Sequence, residues 1–218
     1  MNDIHQETPK NDRGRPSRDS ATPLTGTSLL ILSLGSLLAY LLITLLILHF
    51  LHEAPLASLF DHGFNIKVQG LAGAVCGLAA ALLIGLVMFR TPVSVVLRDY
   101  MIVDAVADMR FSGFDRVQVS LFAGIGEELL FRGALQPLLG IWVTSVLFVG
   151  LHGYFKFASV KHLAFGGMMF ALSVGLGSLY EWAGLAAAMA AHAVYDFVML
   201  QIGHAYGFGT RRISDGPR

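Results

Sequence analysis

The sequence predicts an all-α, polytopic membrane helix bundle, and three observations carry that expectation. Hydrophobic residues make up 55% of the 218 and charged residues only 14%. With a mean hydropathy of +0.63, this is too apolar for a soluble domain of that size. Several segments approach the roughly 20 apolar residues needed to cross a bilayer. In one of them Gly73, Gly77, Ala81 and Gly85 recur every four residues, which puts small side chains on one helical face and lets a neighbouring helix come close. About six transmembrane helices and one interfacial amphipathic helix are expected.

Taken in order, residues 1–27 are polar and rich in Asn, Asp, Arg, Pro, Ser and Thr, a composition that predicts a disordered cytoplasmic tail. Residues 28–116 are assigned two N-terminal spans and the interfacial helix. The first span, Leu29 to Leu51, is too long for a signal-peptide core and lacks a small-residue cleavage site after it, so it reads as retained. The second runs from about Val68 to Phe89. Its Cys76, the only cysteine, has no intrachain disulfide partner and reads as a packed thiol. From 90 to 116, Arg90, Arg98, Arg110 and Arg116 mix with Asp99, Asp104, Asp108 and Asp115. Apolar residues between them fall at three- and four-residue spacing, as in a helix lying along the membrane surface. Residues 117–203 form a core of four shorter blocks: about Val117 to Phe131, Leu135 to Leu151, His162 to Leu179 and Leu185 to Gln201. Glu181 and Trp182, just before the last block, read as an interface anchor. Residues 204–218 are a second cytoplasmic tail.

Charge narrows the function classes. A formal net charge of zero leaves no cluster to neutralise phosphates, so nucleic acid is not expected as a partner. Lys and Arg are unevenly placed: with the N-terminus inside, thirteen of fifteen fall on the inner side, and only Lys67 and Arg132 do not. Cytoplasmic flanks accumulate these residues, so an integral protein of an inner or plasma membrane with both termini cytoplasmic is expected.

The chemistry begins with Glu127 and Glu128, two carboxylates inside VSLFAGIGEELLFRGALQPLLG. A charge in hydrocarbon is costly unless neutralised or paired, so such residues mark a functional site. Glu128 and Arg132 are four apart on one helical face and able to neutralise each other, while Glu127 is turned by about 100°. His192 and Asp196 are also four apart, and His152 closes the fourth block. One unpaired carboxylate and two imidazoles are thereby left as candidates for a shared polar pocket. His5, His49, His52, His62, His162 and His204 fall in the tail or near span ends, where interfacial solvation accounts for them.

These residues carry a resemblance. GEELLFRG, then FVGLH, then HAVYD match in order and spacing the motifs EExxxR, FxxxH and HxxxN/D of the CPBP family, the CAAX prenyl protease and bacteriocin-processing (Abi-type) group of intramembrane proteases. The likeness covers about Val117 to Gln201, and Phe131 to Gln136 also resembles the family's FRGxLQ. It implies a proteolytic site in which Glu127 is the general base on a water that His152 helps to hold. His192 and Asp196 would stabilise the oxyanion, and Glu128 with Arg132 would lock the catalytic helix. Many members have Asn at the position of Asp196. An ionised Asp donates no hydrogen bond, so Asp196 is either protonated or orients His192 instead.

The leading expectation is thus an endopeptidase acting on a lipidated or membrane-anchored polypeptide within the lipid bilayer, with no cofactor. Zinc is the alternative, since one Glu and two His are a known ligand set, although HExxH is absent and the histidines lie on different spans. A non-enzymatic membrane protein, either a bacteriocin-immunity factor or a proton-coupled transporter, is the rival class. No internal repeat favours the transporter.

Overall fold

The computed structural model describes residues 26–100 and 111–205. The two tails and the middle of the expected surface helix lie outside the described residues. What is described is an all-α bundle. Helix α1 spans Gly26–Ile47 and continues into a π-helical turn, Leu48–His52. A short 3-10 helix, Leu56–Phe60, precedes α2, Ile66–Arg90, whose start is fixed by Asn65 Oδ1 accepting from the Val68 N–H at 3.2 Å. A second 3-10 helix follows at Pro92–Asp99. Next come α3 (Gly113–Glu128), a π-helical stretch (Leu129–Leu135), α4 (Gln136–Leu151), α5 (Val160–Ala183) and α6 (Leu185–Ala205).

Helix α6 is the centre of the bundle, packed against α2, α3 and α5, with α1 lying on α3. The small-residue stripe of α2 explains the closest of these contacts. A Cβ on Gly73 would stand 2.3 Å from the Ala187 carbonyl oxygen, and one on Gly77 2.2 Å from that of Ala191. Ala81, one turn further on, is fully buried. Large side chains at these positions would force the helices apart. Cys76 is on the other side of α2 and is exposed, so the expectation of a packed thiol is corrected: the stripe occupies the packed face and leaves position 76 facing outwards.

The third and fourth apolar blocks fall within one run, Gly113–Leu151, of 39 residues, one of five among the described residues that are long and apolar enough to cross a bilayer. That run is not straight. Gly140 has φ 74° and ψ 164°, a conformation that side-chain-bearing residues rarely adopt. Beyond it the chain turns back, so that Phe148 meets Phe131 edge-on at 4.9 Å. The returning limb, residues 141–151, is about 16 Å long at 1.5 Å per residue, roughly half the hydrocarbon thickness. Its end therefore stops inside the bundle, and that end carries His152.

Helix α3 starts earlier than hydropathy suggests. Ser112 Oγ accepts from the Asp115 N–H at 3.1 Å, and Asp115 Oδ2 accepts from the Ser112 N–H at 2.8 Å, a capping box that places Gly113 in the first turn. Arg116 and Asp115 thus belong to this helix and not to a surface helix. The described part of the expected surface helix also differs from expectation. Pro92–Asp99 is 3-10, and Val93, Val96 and the following Tyr100 are buried against α2 and α5 residues such as Met88 and Phe165. Their apolar side faces the protein. The histidine expectation is corrected likewise: His52 bonds the Ala134 carbonyl at 2.9 Å, His62 that of Glu181 at 2.7 Å, and buried His162 meets Asp99 at 3.0 Å. Partners in the fold, not interfacial water alone, hold these rings.

Candidate active site

Four helical segments converge at the Glu pair. Helix α3 supplies Glu127 and Glu128, the π-helical stretch Arg132, the end of α4 His152, and α6 both His192 and Asp196. All six side chains singled out in the sequence meet in one cluster. The π-helical stretch Leu129–Leu135 follows the two carboxylates directly, and such turns are frequent at functional sites. Helices α3 and α6 touch closely here: a Cβ on Gly124 would lie 2.8 Å from the Ala193 nitrogen.

The two glutamates have different surroundings. Glu128 is fully buried, as is Arg132. Arg132 Nε donates to Glu128 Oε2 at 3.0 Å, and its Nη2 donates to Ser173 Oγ on α5 at 3.0 Å. The same guanidinium lies 5.3 Å from the Phe148 ring centroid. The second oxygen of Glu128, Oε1, is 2.8 Å from His192 Nδ1. An ionised carboxylate only accepts, so the Nδ1 proton sits on the ring and His192 presents Nε2 to the other side. Glu128 thus ties α3, α5 (through Arg132) and α6 together.

Glu127 faces the opposite way. Its Oε2 lies 3.4 Å from His152 Nε2 and 3.9 Å from His192 Nε2, so both imidazoles aim at one carboxylate oxygen. His152 Nδ1 donates to the Phe148 carbonyl at 2.7 Å, which sets its tautomer and turns Nε2 toward Glu127. The ring is held by aromatic neighbours on both sides, Phe148 stacked at 4.3 Å and Tyr154 at 5.6 Å. Asp196 Oδ2 is 3.5 Å from His192 Nε2, on the nitrogen that faces Glu127. The position from which a carboxylate would orient this imidazole through Nδ1 is taken by Glu128.

Tyr154 was not among the residues singled out in the sequence. It sits in the segment between α4 and α5, and burial, with Asp196 and Glu127 nearby, holds its phenol well above the ordinary range. Its place two residues after the motif histidine is the only signal the sequence offers. Among the described residues no group of three or more His, Cys, Asp or Glu side chains is arranged to hold a metal ion.

Comparison with known proteins bears on the same segment. Residues 112–198, about two fifths of the chain, match the family described as type II CAAX prenyl endopeptidase Rce1-like. This segment is similar to that family, in keeping with the CPBP-like motifs it carries. A protein of Bacillus subtilis (strain 168) described as uncharacterized protein YpbD is 43% identical over 81 residues, which are 37% of this chain and 41% of that relative. The chain thus spans less than half the length of the curated relative it matches. No solved structure matches it. With five helices long and apolar enough to cross a bilayer and this family segment, the chain is an integral membrane protein.

Proposed function

We propose that this chain is an intramembrane endopeptidase of the glutamate type, acting on a lipidated or membrane-anchored polypeptide. The observation that carries the reading is the division of labour between neighbouring carboxylates. Glu128 is occupied on both oxygens by Arg132 and His192, while Glu127 is left facing two imidazole Nε2 atoms.

A neutral His152 whose Nδ1–H is given to Phe148 offers an acceptor toward Glu127. Two acceptors 3.4 Å apart suit a water that donates one hydrogen to each. Glu127 would take a proton from that water as its oxygen attacks the peptide carbonyl carbon, and would pass the proton to the departing amine as the C–N bond breaks. The products are one carboxylic acid and one amine. The developing oxyanion calls for donors already in place. His192 supplies one from Nε2 when its ring carries both protons, and Asp196 supplies another only in its protonated form. Glu128 holds the ring in that orientation and offsets its charge. Zinc is the alternative, with Glu127, His152 and His192 as the ligand set the sequence offers, although among the described residues these side chains are not arranged to hold an ion.

The fold groups the cationic segments in a way that supports an inside N-terminus and C-terminus. Asp99, Lys156 and His162 lie together at one end, while the chain before α2, the start of α4 and the α5–α6 turn meet at the other. The positively charged end is the one expected to face the cytoplasm.

The test is cleavage of an S-farnesylated C-terminal peptide by the full chain in liposomes, with Glu127→Gln as comparison. Loss of hydrolysis in the variant supports the general-base role, and unchanged hydrolysis sinks it. Wild-type activity that survives chelation in protein free of zinc by elemental analysis supports the metal-free form.

A further inference from the structure

His152 ends α4 and precedes Gly153, whose φ of 70° suits a residue without a side chain. The Gly153 N–H reaches the Gly150 carbonyl at 2.9 Å and the Tyr154 N–H that of Val149 at 3.1 Å, the paired bonds of a Schellman motif. This turn folds Tyr154 back onto His152. Its ring stacks on the imidazole at 5.6 Å and 21°, and Phe148 stacks on the same imidazole at 4.3 Å and 26°. Phe148 is carried by α4 itself, one turn before the histidine. Tyr154 belongs to the segment leaving the helix, so its place depends on what lies beyond it.

Two elements hold Tyr154 there. On α5, a Cβ at Gly166 would stand 2.9 Å from the Tyr154 carbonyl oxygen, and Phe165 meets the tyrosine ring edge-on at 5.5 Å. The other is the strap formed by the 3-10 helix Pro92–Asp99 and the residue after it. The Tyr100 ring, 1% exposed, lies 6.0 Å from that of Tyr154 at 67° and 4.6 Å from that of Phe165. This strap is tied to the start of α5: Asp99 Oδ2 is 3.0 Å from His162 Nε2, Ser159 Oγ is 2.8 Å from His162 Nδ1, and the Tyr100 hydroxyl donates to the His162 carbonyl at 3.3 Å. One imidazole serves both neighbours by giving Nε2–H to the carboxylate and accepting the serine hydroxyl on Nδ1. Lys156 lies 5.0 Å from the centroid of the Tyr100 ring. The segment that matches the family begins at 112, so this wedge comes from outside it. An edge-on ring in a close-packed core resists tilting of its neighbour, and a smaller residue there leaves Tyr154 free to move off the imidazole.

We propose that Tyr100 is a positioning residue for His152, acting through Tyr154, so that a strap outside the family segment sets the geometry of the site. This rests on the reading of His152 as the partner of Glu127 on the attacking water, and the spectroscopic arm of the test is independent of it. The full chain with isotope-labelled histidine is studied by solid-state NMR in phosphatidylcholine liposomes, the His152 ring signals being assigned by their loss in His152→Gln. These signals shift in Tyr100→Leu, because the ring current of Tyr154 falls differently on the imidazole once the wedge is gone. They stay in place in Tyr100→Phe, which keeps the ring, and in Val96→Ala, which thins the strap at a buried residue that carries no ring. With the farnesylated peptide, Tyr100→Leu lowers kcat about 10- to 100-fold at unchanged KM, and Tyr100→Phe restores it. Unmoved His152 signals in folded Tyr100→Leu overturn the proposal, as does an equal shift in Val96→Ala. Should Tyr100→Leu not fold, Asp99→Ala carries the same prediction, since it cuts the tie between strap and α5 at an exposed carboxylate. If the wild-type chain leaves the peptide uncut, the proteolytic reading fails for that substrate, and the NMR shift still decides whether Tyr100 positions His152.

Discussion

Two polar networks cross this apolar bundle, and their partners differ in kind. At the end of the bundle that holds the α5–α6 turn, Gln69 donates to the Phe64 carbonyl at 2.6 Å and accepts from the Ala186 N–H at 3.0 Å, His62 bonds the Glu181 carbonyl, and Gln136 donates to the Gly177 carbonyl at 3.1 Å. Side chains there satisfy backbone groups that the helix ends leave open, as a membrane protein requires. In the middle of the bundle the partners are other ionisable side chains, and one carboxylate oxygen, Glu127 Oε2, is aimed at by two rings. The first arrangement closes a structure. The second concentrates proton-exchanging groups at one point, where hydrocarbon makes each of them costly.

Substitutions separate the two networks by what they change. The largest loss of stability is expected from Arg132→Met, which leaves the fully buried Glu128 without its guanidinium and with His192 alone as partner, at a cost of about 3–5 kcal/mol. Denaturation in detergent measures it, and a melting curve like the wild type would show that the ion pair is dispensable. Gln69→Ala removes partners from two backbone groups near the α5–α6 turn and costs about 1–3 kcal/mol. The folded fraction should cleave peptide at the wild-type rate, and a drop in kcat with intact folding would dissolve the distinction between the networks. The smallest effect is expected at the reversal. Gly140→Ala meets no neighbour within 4 Å and suffers only from its backbone angle, on the order of 1 kcal/mol. A neutral result there would mean that the turn relaxes into an ordinary helical conformation.

Much of the site is legible in helical spacing, because Glu128 with Arg132 and His192 with Asp196 each sit one turn apart on a single helix. Spacing also separates Glu127 from Glu128, since adjacent residues point about 100° apart. What spacing does not reveal is long-range. The bond from His192 to Glu128 joins positions 64 apart, and Tyr154 reaches the cluster from a segment with no carboxylate of its own. The reversal at Gly140 is a single glycine in an apolar run, which hydropathy averages away. The start of α3 is legible in the capping-box spacing of Ser112 and Asp115, although the mixed charges around it have the pattern of a surface helix. The burial of Val93, Val96 and Tyr100 depends on what packs over them, which periodicity alone leaves open.

The central claim is that adjacent glutamates do unlike jobs, and one paired measurement tests it. Glu127→Gln and Glu128→Gln are reconstituted side by side, and each is assayed for peptide cleavage and for melting temperature. The account predicts that Glu127→Gln loses about 10²- to 10⁴-fold in cleavage while melting like the wild type, whereas Glu128→Gln melts lower because Arg132 and His192 lose their shared anion. Wild-type cleavage by Glu127→Gln, or equal melting losses in both variants, would contradict it.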